Sequence, residues 1–350
     1  MNDVCVIGGG PAGLAAAIAL RMRGFTVTVR DARRPPIDKA CGEGLLPAAF
    51  ASLAELGIDA HSLPGVPLTG IRFSGHGVSV VGSFPGGEGR GVRRTFLHAA
   101  LCDRAASCGV ALQWNASVHS LDSLTERWIV GADGIQSRVR QWAGLDSVRR
   151  NSVRFGFQRH YQLAPWSNEV EVYWSERGQA YVTPIGPDEI GVAVLTRHRG
   201  LRIDDVLNAF PDLVRRLAGS GGKTRERGSA TASRKLCRVT AGRVALVGDA
   251  SGSVDAITGD GLALAFDQAL LLASALEKGS LEAYGKRHAS LSLRAFLMGD
   301  LMLGLDRFPA AQKYAMRALH ILPGAFRTLV GIHSHHPRQS PTPSFLTCYR

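Results

Sequence analysis

No run of about 18 uncharged apolar residues occurs in the chain, so no transmembrane helix is expected. A basic leader segment is also missing. Met1-Asn2-Asp3 runs straight into Val4-Cys5-Val6-Ile7, which reads as a buried strand rather than a secretory signal. The six cysteines (5, 41, 102, 108, 237, 348) include no C-x-x-C pair, and a reduced, cytoplasmic setting accounts for them most simply. The 41 glycines follow no G-X-Y period, which excludes a collagen-like chain. Acid is in short supply: 29 Asp+Glu face 41 Lys+Arg, a net charge of +12. Such a surplus suits anionic partners, namely a phosphorylated cofactor, an anionic membrane surface or nucleic acid. What the chain has is length and apolar content. At 350 residues and 45% hydrophobic, it can build one large domain or two with ample core.

The first 31 residues read as one βαβ unit. Val4–Ile7 is a strand covered on both faces. Gly8-Gly9-Gly10-Pro11-Ala12-Gly13 follows, then a helical Leu14–Arg23 closed by Gly24, then a strand over Phe25–Val29 ending at Asp31. Short strands are expected at Ile71–Phe73 and Val78–Val81, beside a glycine-rich loop holding Gly82, Gly89 and Gly91. Apolar residues at 97, 100, 101, 105 and 108 predict a helix over Thr95–Cys108. Strands follow at Val110–Trp114 and Trp128–Val130. Between 154 and 196 the pattern turns to antiparallel strands with a turn at Gly186-Pro187-Asp188-Glu189. Arg243–Val247 resumes the buried-strand pattern, Gly261–Leu276 is a long apolar helix, and 281–332 reads as helical.

The hexad at 8–13 matches G-x-G-x-x-G in full strand–helix context. Gly8 permits a tight turn, Gly10 lets backbone approach a pyrophosphate, and Gly13 lets helix and strand pack closely. Asp31 falls where a ribose-binding carboxylate belongs. A second segment, Gly131-Ala132-Asp133-Gly134, follows a strand and leads to Arg138. A third, Val247-Gly248-Asp249, ends a strand and leads through Asp255, Gly259, Asp260 and Gly261 into a helix. A helix N-terminus of that kind can face a group that becomes anionic.

These three motifs, in this order, resemble the FAD-dependent oxidoreductases of the p-hydroxybenzoate hydroxylase and geranylgeranyl reductase superfamily. The resemblance covers roughly residues 1–290. It implies an α/β fold: a Rossmann-like FAD-binding domain (GR2-type), an inserted antiparallel β-sheet substrate domain and C-terminal helices. On that basis the FAD-binding domain comprises 1–70, 92–150 and 237–290, and the substrate domain 71–91 and 151–236. A helical region spans 291–332, and 333–350 is a disordered tail. The resemblance places Gly8, Gly10, Pro11, Ala12, Gly13, Asp31, Arg94, Asp133 and Arg138 around the adenosine and pyrophosphate. Gly248 and Asp249 go to the ribityl chain, and Gly259, Gly261 and Leu262 to the isoalloxazine. Cys41, in Cys41-Gly42-Glu43-Gly44, and Asp260 stand as candidate catalytic residues. Cys41 also reads as a small buried side chain, and Glu43 as a solvated loop acid ahead of a proton donor. The aromatics Phe157, Tyr161, Trp174 and Tyr181 are candidates for the substrate wall.

The resemblance implies FAD as cofactor and NADPH or NADH as reductant. The leading expectation is an NAD(P)H-dependent monooxygenase acting on an aromatic or lipophilic small molecule. The second is a C=C reductase like the geranylgeranyl reductases. The third is a lipid carrier of the same fold, against which the intact Gly248-Asp249 argues. The stretch Asp255–Gly261 lacks the proline usual in aromatic hydroxylases and, like Cys41–Gly44, looks more like the reductase branch. That branch usually carries Tyr-x-Trp-x-Phe-Pro, whereas this chain has Tyr181-Val182-Thr183-Pro184. The flavin halogenase Trp-x-Trp-x-Ile-Pro is absent.

Other features carry less. Gly219-Ser220-Gly221-Gly222-Lys223-Thr224 resembles a P-loop, but its first glycine position is Leu217 and a helical segment precedes it. His333, His335 and His336 belong to a polar tail rather than a metal site, and no nucleic-acid motif accompanies the basic surplus. No obligate protein partner is evident. Residues 281–350 carry nine Lys/Arg against three acids, with apolar residues between them. They read either as a helical cap on the substrate domain or as a peripheral membrane edge.

Overall fold

The computed structural model describes residues 2–85, 87–220, 222 and 224–334. Val4–Ile7 is buried at every position and lies parallel to both Val27–Asp31 and Trp128–Gly131. Between the first two strands runs the helix Pro11–Arg21, with nine of its 11 residues buried, so it is a core helix rather than an amphipathic surface one. Proline at its first turn costs no hydrogen bond, and Gly24 at φ +86° turns the chain back after it. The complete sheet runs Thr240–Ala241, Val244–Leu246, Trp128–Gly131, Val4–Ile7, Val27–Asp31, Ala111–Trp114. All its pairs are parallel except that of Thr240–Ala241. Early, middle and late parts of the chain are thus neighbours in one sheet.

A second sheet has seven strands in the order Arg227–Leu236, Val148–Gln162, Glu189–Thr196, Gly178–Gly186, Glu169–Ser175, Gly70–Gly75, Val78–Ser83. The sequence pattern predicts antiparallel pairing here. That holds for all but one pair: Glu169–Ser175 lies parallel to Gly70–Gly75, because the two segments come from distant parts of the chain and share no hairpin. A small third sheet joins Gly44–Leu45, Gly89–Gly91 and Val66–Leu68. Gly89 and Gly91, expected in a loop, are therefore in a strand. A Cβ on Gly91 would sit 1.6 Å from the Pro184 carbonyl oxygen, so glycine serves close backbone packing there rather than flexibility.

The helices Gly261–Glu277, Leu281–Arg307, Pro309–Ile321 and Pro323–Ser334 end the described part of the chain. The last extends one residue past His333, where the sequence suggested the tail begins; 335–350 lie outside the described residues. Pro323–Ser334 rests on the outer strand Val78–Ser83, and a Cβ on Gly82 would meet Val330 at 2.6 Å. Met302, Met316, Phe326 and Val330 pack with Val172 and Trp174 into an apolar cluster distinct from the main core. Among the described residues, no helix is long and apolar enough to cross a membrane.

His288 lies buried on Leu281–Arg307, with Nε2 2.9 Å from the Ser251 hydroxyl. Burial pushes its imidazole down to about 4. An unfolded imidazole titrates near ~6.5, so between there and the folded value the unfolded chain binds a proton that the folded chain excludes. Stability is therefore complete above that window and falls as pH drops through it, by up to ~1.4 kcal/mol per pH unit. His288→Gln should flatten this acid limb of a denaturation-midpoint profile. Parallel profiles for the two proteins would refute the assignment.

Candidate active site

The ends of the parallel strands open into one cavity of about 1220 Å³ that continues beneath the second sheet and the C-terminal helices. Its first limb is the glycine-motif limb. Gly8 has φ +113°, and a Cβ there would lie 2.4 Å from the Ala132 carbonyl oxygen. Gly13 packs back on Gly8, where a Cβ would come within 1.9 Å of its oxygen, and it does not line the cavity. Gly10, Pro11 and Ala12 do line it, and the space over Gly10 is open. The helix that starts here has no side-chain cap and no acid in its first turn. Its N-terminal N–H groups and partial positive charge are left for an anion.

Asp31 faces the same limb, accepting hydrogen bonds from Gly9 N–H at 2.7 Å and Arg33 N–H at 2.8 Å. Asp133 and Arg138 also line it. Asp133 spends its carboxylate on the helix Arg138–Trp142, accepting from Arg138 N–H at 2.7 Å and Val139 N–H at 3.1 Å. Gly248 and Asp249 follow at the end of Val244–Leu246, and Lys39 Nζ reaches Asp249 Oδ2 at 3.3 Å across the cavity. Gly259, Gly261 and Leu262 line the wall where Gly261–Glu277 begins, again with no side-chain cap. Arg94 brings a buried Nε with no hydrogen-bond partner among the described residues. Two uncapped helix N-termini, a side-chain-free cradle and an unpartnered guanidinium N–H are what a dinucleotide with a pyrophosphate requires. These residues fit FAD.

Asp260 does not follow its neighbours. It is 2% exposed and, unlike Gly259 and Gly261, is absent from the cavity wall. Its place at the turn into the helix carries it inward, behind the two glycines that line the wall.

Cys41 lines the cavity half-buried, its N–H donating to Gln158 Oε1 at 3.2 Å. Glu43 departs from the solvated acid the sequence suggested: it is 3% exposed and holds φ +58°. Its Oε2 meets His160 Nε2 at 2.7 Å, and its Oε1 accepts the Arg94 N–H at 2.9 Å with Arg93 Nε 3.8 Å away. His160 in turn has Nδ1 3.0 Å from the Thr224 hydroxyl. Thr224 thus belongs to this network; Gly221 and Lys223 of the P-loop-like segment lie outside the described residues, and the helix Pro211–Leu217 precedes it. A carboxylate buried in this way needs its partners.

The second limb is apolar. Trp174 and Tyr181 line it, with Phe73, Val172, Met302, Met316 and Phe326. Phe157 also borders the cavity, but it pairs with Val194 and packs on the opposite face of the sheet. Tyr161 does not, because it packs with Phe157 and Leu213 in a separate cluster beneath the sheet. Tyr181 donates its hydroxyl to the Ile257 carbonyl at 3.3 Å, and burial pushes its phenol well above the ordinary value. Polar atoms are sparse here. The Trp174 indole N–H and Asp255 Oδ2 are buried with no hydrogen-bond partner among the described residues, while Asp255 Oδ1 takes Arg154 Nη1 at 3.1 Å. Among the described residues no cluster of His, Cys, Asp and Glu could hold a metal.

Replacing Glu43 with Ala would leave His160 and the Arg94 N–H without their shared acceptor. Losing one member of such a buried pair costs on the order of 3 kcal/mol. Glu43→Ala should lower the denaturation midpoint accordingly, with Glu43→Gln intermediate. A midpoint within error of the parent would overturn this account of the loop.

Comparison with known proteins agrees with the geometry. Residues 1–288 match the FAD binding domain family. The menaquinone reductase of Mycobacterium tuberculosis is 28% identical over 315 residues, covering 80% of this chain and 77% of that protein. The chloroplastic geranylgeranyl diphosphate reductase of Oryza sativa is 29% identical over 320 residues, covering 79% of this chain and 66% of its own. Among solved structures, p-nitrophenol 4-monooxygenase from Pseudomonas putida superposes with a TM-score of 0.81 at 16% identity, covering 97% of this chain and 99% of that one, a likeness of fold alone. A glycine cradle, two uncapped helix starts and a family match over more than four-fifths of the sequence converge: the chain belongs to the FAD binding domain family and is a FAD-dependent oxidoreductase of the p-hydroxybenzoate hydroxylase and geranylgeranyl reductase superfamily.

Proposed function

We propose that this oxidoreductase saturates a C=C bond in a long, apolar, isoprenoid-like molecule, with NADPH or NADH as the source of electrons. The observation that carries the reading is the apolar limb: aliphatic, aromatic and methionine side chains of the seven-stranded sheet and the C-terminal helices enclose it, with few polar atoms. A lining of this kind, aliphatic and aromatic with few polar groups, suits an apolar chain better than a polar ring. The names of the menaquinone and geranylgeranyl diphosphate reductases, both for reductases of isoprenoid lipids, point the same way. Hydroxylation, the leading expectation from sequence, becomes the alternative outcome of the test below.

In this reading the discontinuous FAD-binding part holds the cofactor, and the seven-stranded sheet with the C-terminal helices holds the substrate. Gly8, Gly10, Pro11 and Ala12 would carry the pyrophosphate on the helix N-terminus, with Asp31 on the ribose and Asp133 and Arg138 at the rim. Asp249 would accept hydrogen bonds from the ribityl hydroxyls. Gly259, Gly261 and Leu262 would lie against the ring system, where the start of Gly261–Glu277 stabilises negative charge. When bound, FAD supplies the relay of a hydride from nicotinamide to substrate. This chain would add the proton that saturation also needs. Cys41 Sγ is our candidate donor, because it lines the cavity on a loop clamped by Glu43 and Gln158. The apolar limb excludes water, which limits competing hydrolysis and proton leakage.

Two measurements test this reading. Asp249→Ala should weaken FAD binding by ~10–100-fold, the value of one or two lost charge-assisted hydrogen bonds, and purify with less yellow colour. Full flavin retention would remove Asp249 from the cofactor site. Incubation with NADPH and polyprenyl lipids under anaerobic conditions should yield a product heavier by two hydrogens. A product heavier by one oxygen, formed only in air, would establish the hydroxylase instead.

A further inference from the structure

The C-terminal helices carry a second concavity on their outer side. It is a groove of about 870 Å³ whose walls include Arg294, Leu297, Leu301, Arg327 and Ile332. Met298 and Leu301 line both this groove and the interior cavity, so two side chains of one helix form the wall between them. Pro323–Ser334 serves both spaces too: Leu329 and Val330 face the interior, and Thr328 and Gly331 the groove.

The three helices that bear the groove expose apolar side chains well beyond the level of scattered surface residues. Leu297 is 60% exposed, Leu322 61% and Ile321 75%. Arg294, Arg307, Lys313, Arg317 and Arg327 are exposed among them, and the sequence holds no Asp or Glu after Asp306. Exposed leucine and isoleucine interleaved with cations, on helices none of which is both long and apolar enough among the described residues to cross a bilayer, make up the chemistry of interfacial helices. A protein partner of matching chemistry would need an acidic, greasy surface; a bilayer rich in anionic phospholipid presents both properties at once.

We propose that the outer face of Leu281–Arg307, Pro309–Ile321 and Pro323–Ser334 docks on an anionic lipid bilayer, and that the groove is the portal through which an apolar chain passes between Met298 and Leu301 into the cavity. The proposal rests on the reading of the cavity as a site for a long apolar substrate, but its test does not depend on turnover. Full-length protein is floated with phosphatidylglycerol vesicles and with phosphatidylcholine vesicles, at low and high salt. It should float with the first at low salt and be released at high salt. Arg294→Gln combined with Arg327→Gln should weaken this partitioning by roughly 25-fold, about fivefold per charge. Leu297→Glu with Ile321→Glu should abolish it while FAD binding and the circular dichroism spectrum stay as in the parent. Protein that stays at the bottom with phosphatidylglycerol at low salt overturns the proposal. So does flotation of the variants equal to that of the parent. A salt-insensitive dimer in sedimentation velocity, broken by the same leucine and isoleucine changes, would assign the face to self-association instead. Vesicle binding without any reduced product would leave the docking face standing and remove the reductase reading; a reduced product without vesicle binding would do the reverse.

Discussion

One buried carboxylate ties the parts of this molecule together. Glu43 sits in a loop that follows the first βαβ unit, yet its oxygens are used by His160 from the seven-stranded sheet and by the backbone N–H of Arg94, where the helix Arg94–Ser107 begins. Its carbonyl takes the N–H of Val92. The glycine-motif limb and the apolar limb of the cavity meet at this loop, and Cys41 is held in place by it. An uncompensated charge at 3% exposure would be untenable, so the loop, the sheet and the helix must adopt their mutual arrangement together. The left-handed φ of Glu43 is a strain that this set of partners offsets.

How far the sequence foretold this depends on whether the signal was local. The βαβ unit, the three glycine–acid motifs and the long helix from Gly261 all show in contiguous residues, because a strand, a tight turn and a helix start each leave their pattern within a few positions. Glu43 was invisible for the opposite reason. With glycine on either side it looks like any loop acid, and its partner His160 stands 117 residues away with no local mark of its own. Asp260 lies away from the cavity wall. Flanked by two glycines of a motif, it has their address but not their direction, since adjacent residues entering a helix point about 100° apart. Tyr161 and Phe157 share the face of the sheet opposite to Trp174 and Tyr181, a consequence of pairing register between strands that no single strand's periodicity carries. The strand Gly89–Gly91 lacked every residue that marks a strand, because its glycines serve close backbone packing and Arg90 between them spends its guanidinium on the Leu63 and Gly65 carbonyls.

Charge is distributed to match the two limbs. The glycine-motif limb offers its electrostatics through backbone, at helix starts and glycine turns, while Asp133 is committed to capping and Asp31 to the glycine loop. Around the apolar limb the buried charges neutralise one another, as Arg154 does with Asp255 and Asp306. The net positive charge that remains is left to the surface, and much of it lies on the last three helices.

The strand order of the first sheet also sets a clock. Val4–Ile7 cannot gain both its neighbours until Trp128–Gly131 exists, and that strand waits in turn for Val244–Leu246. Gly248 then closes against Ala12 at the glycine loop, a contact spanning most of the chain. At a synthesis rate of about 5–20 residues per second, the interval from first strand to last is on the order of tens of seconds. The nascent chain must carry half a nucleotide site, and all the apolar faces meant for the sheet between, through that interval. Long-range parallel pairing of this kind is slow and exposes edges. A chaperone, or early capture of the cofactor by the nearly finished fold, has its opportunity in that window.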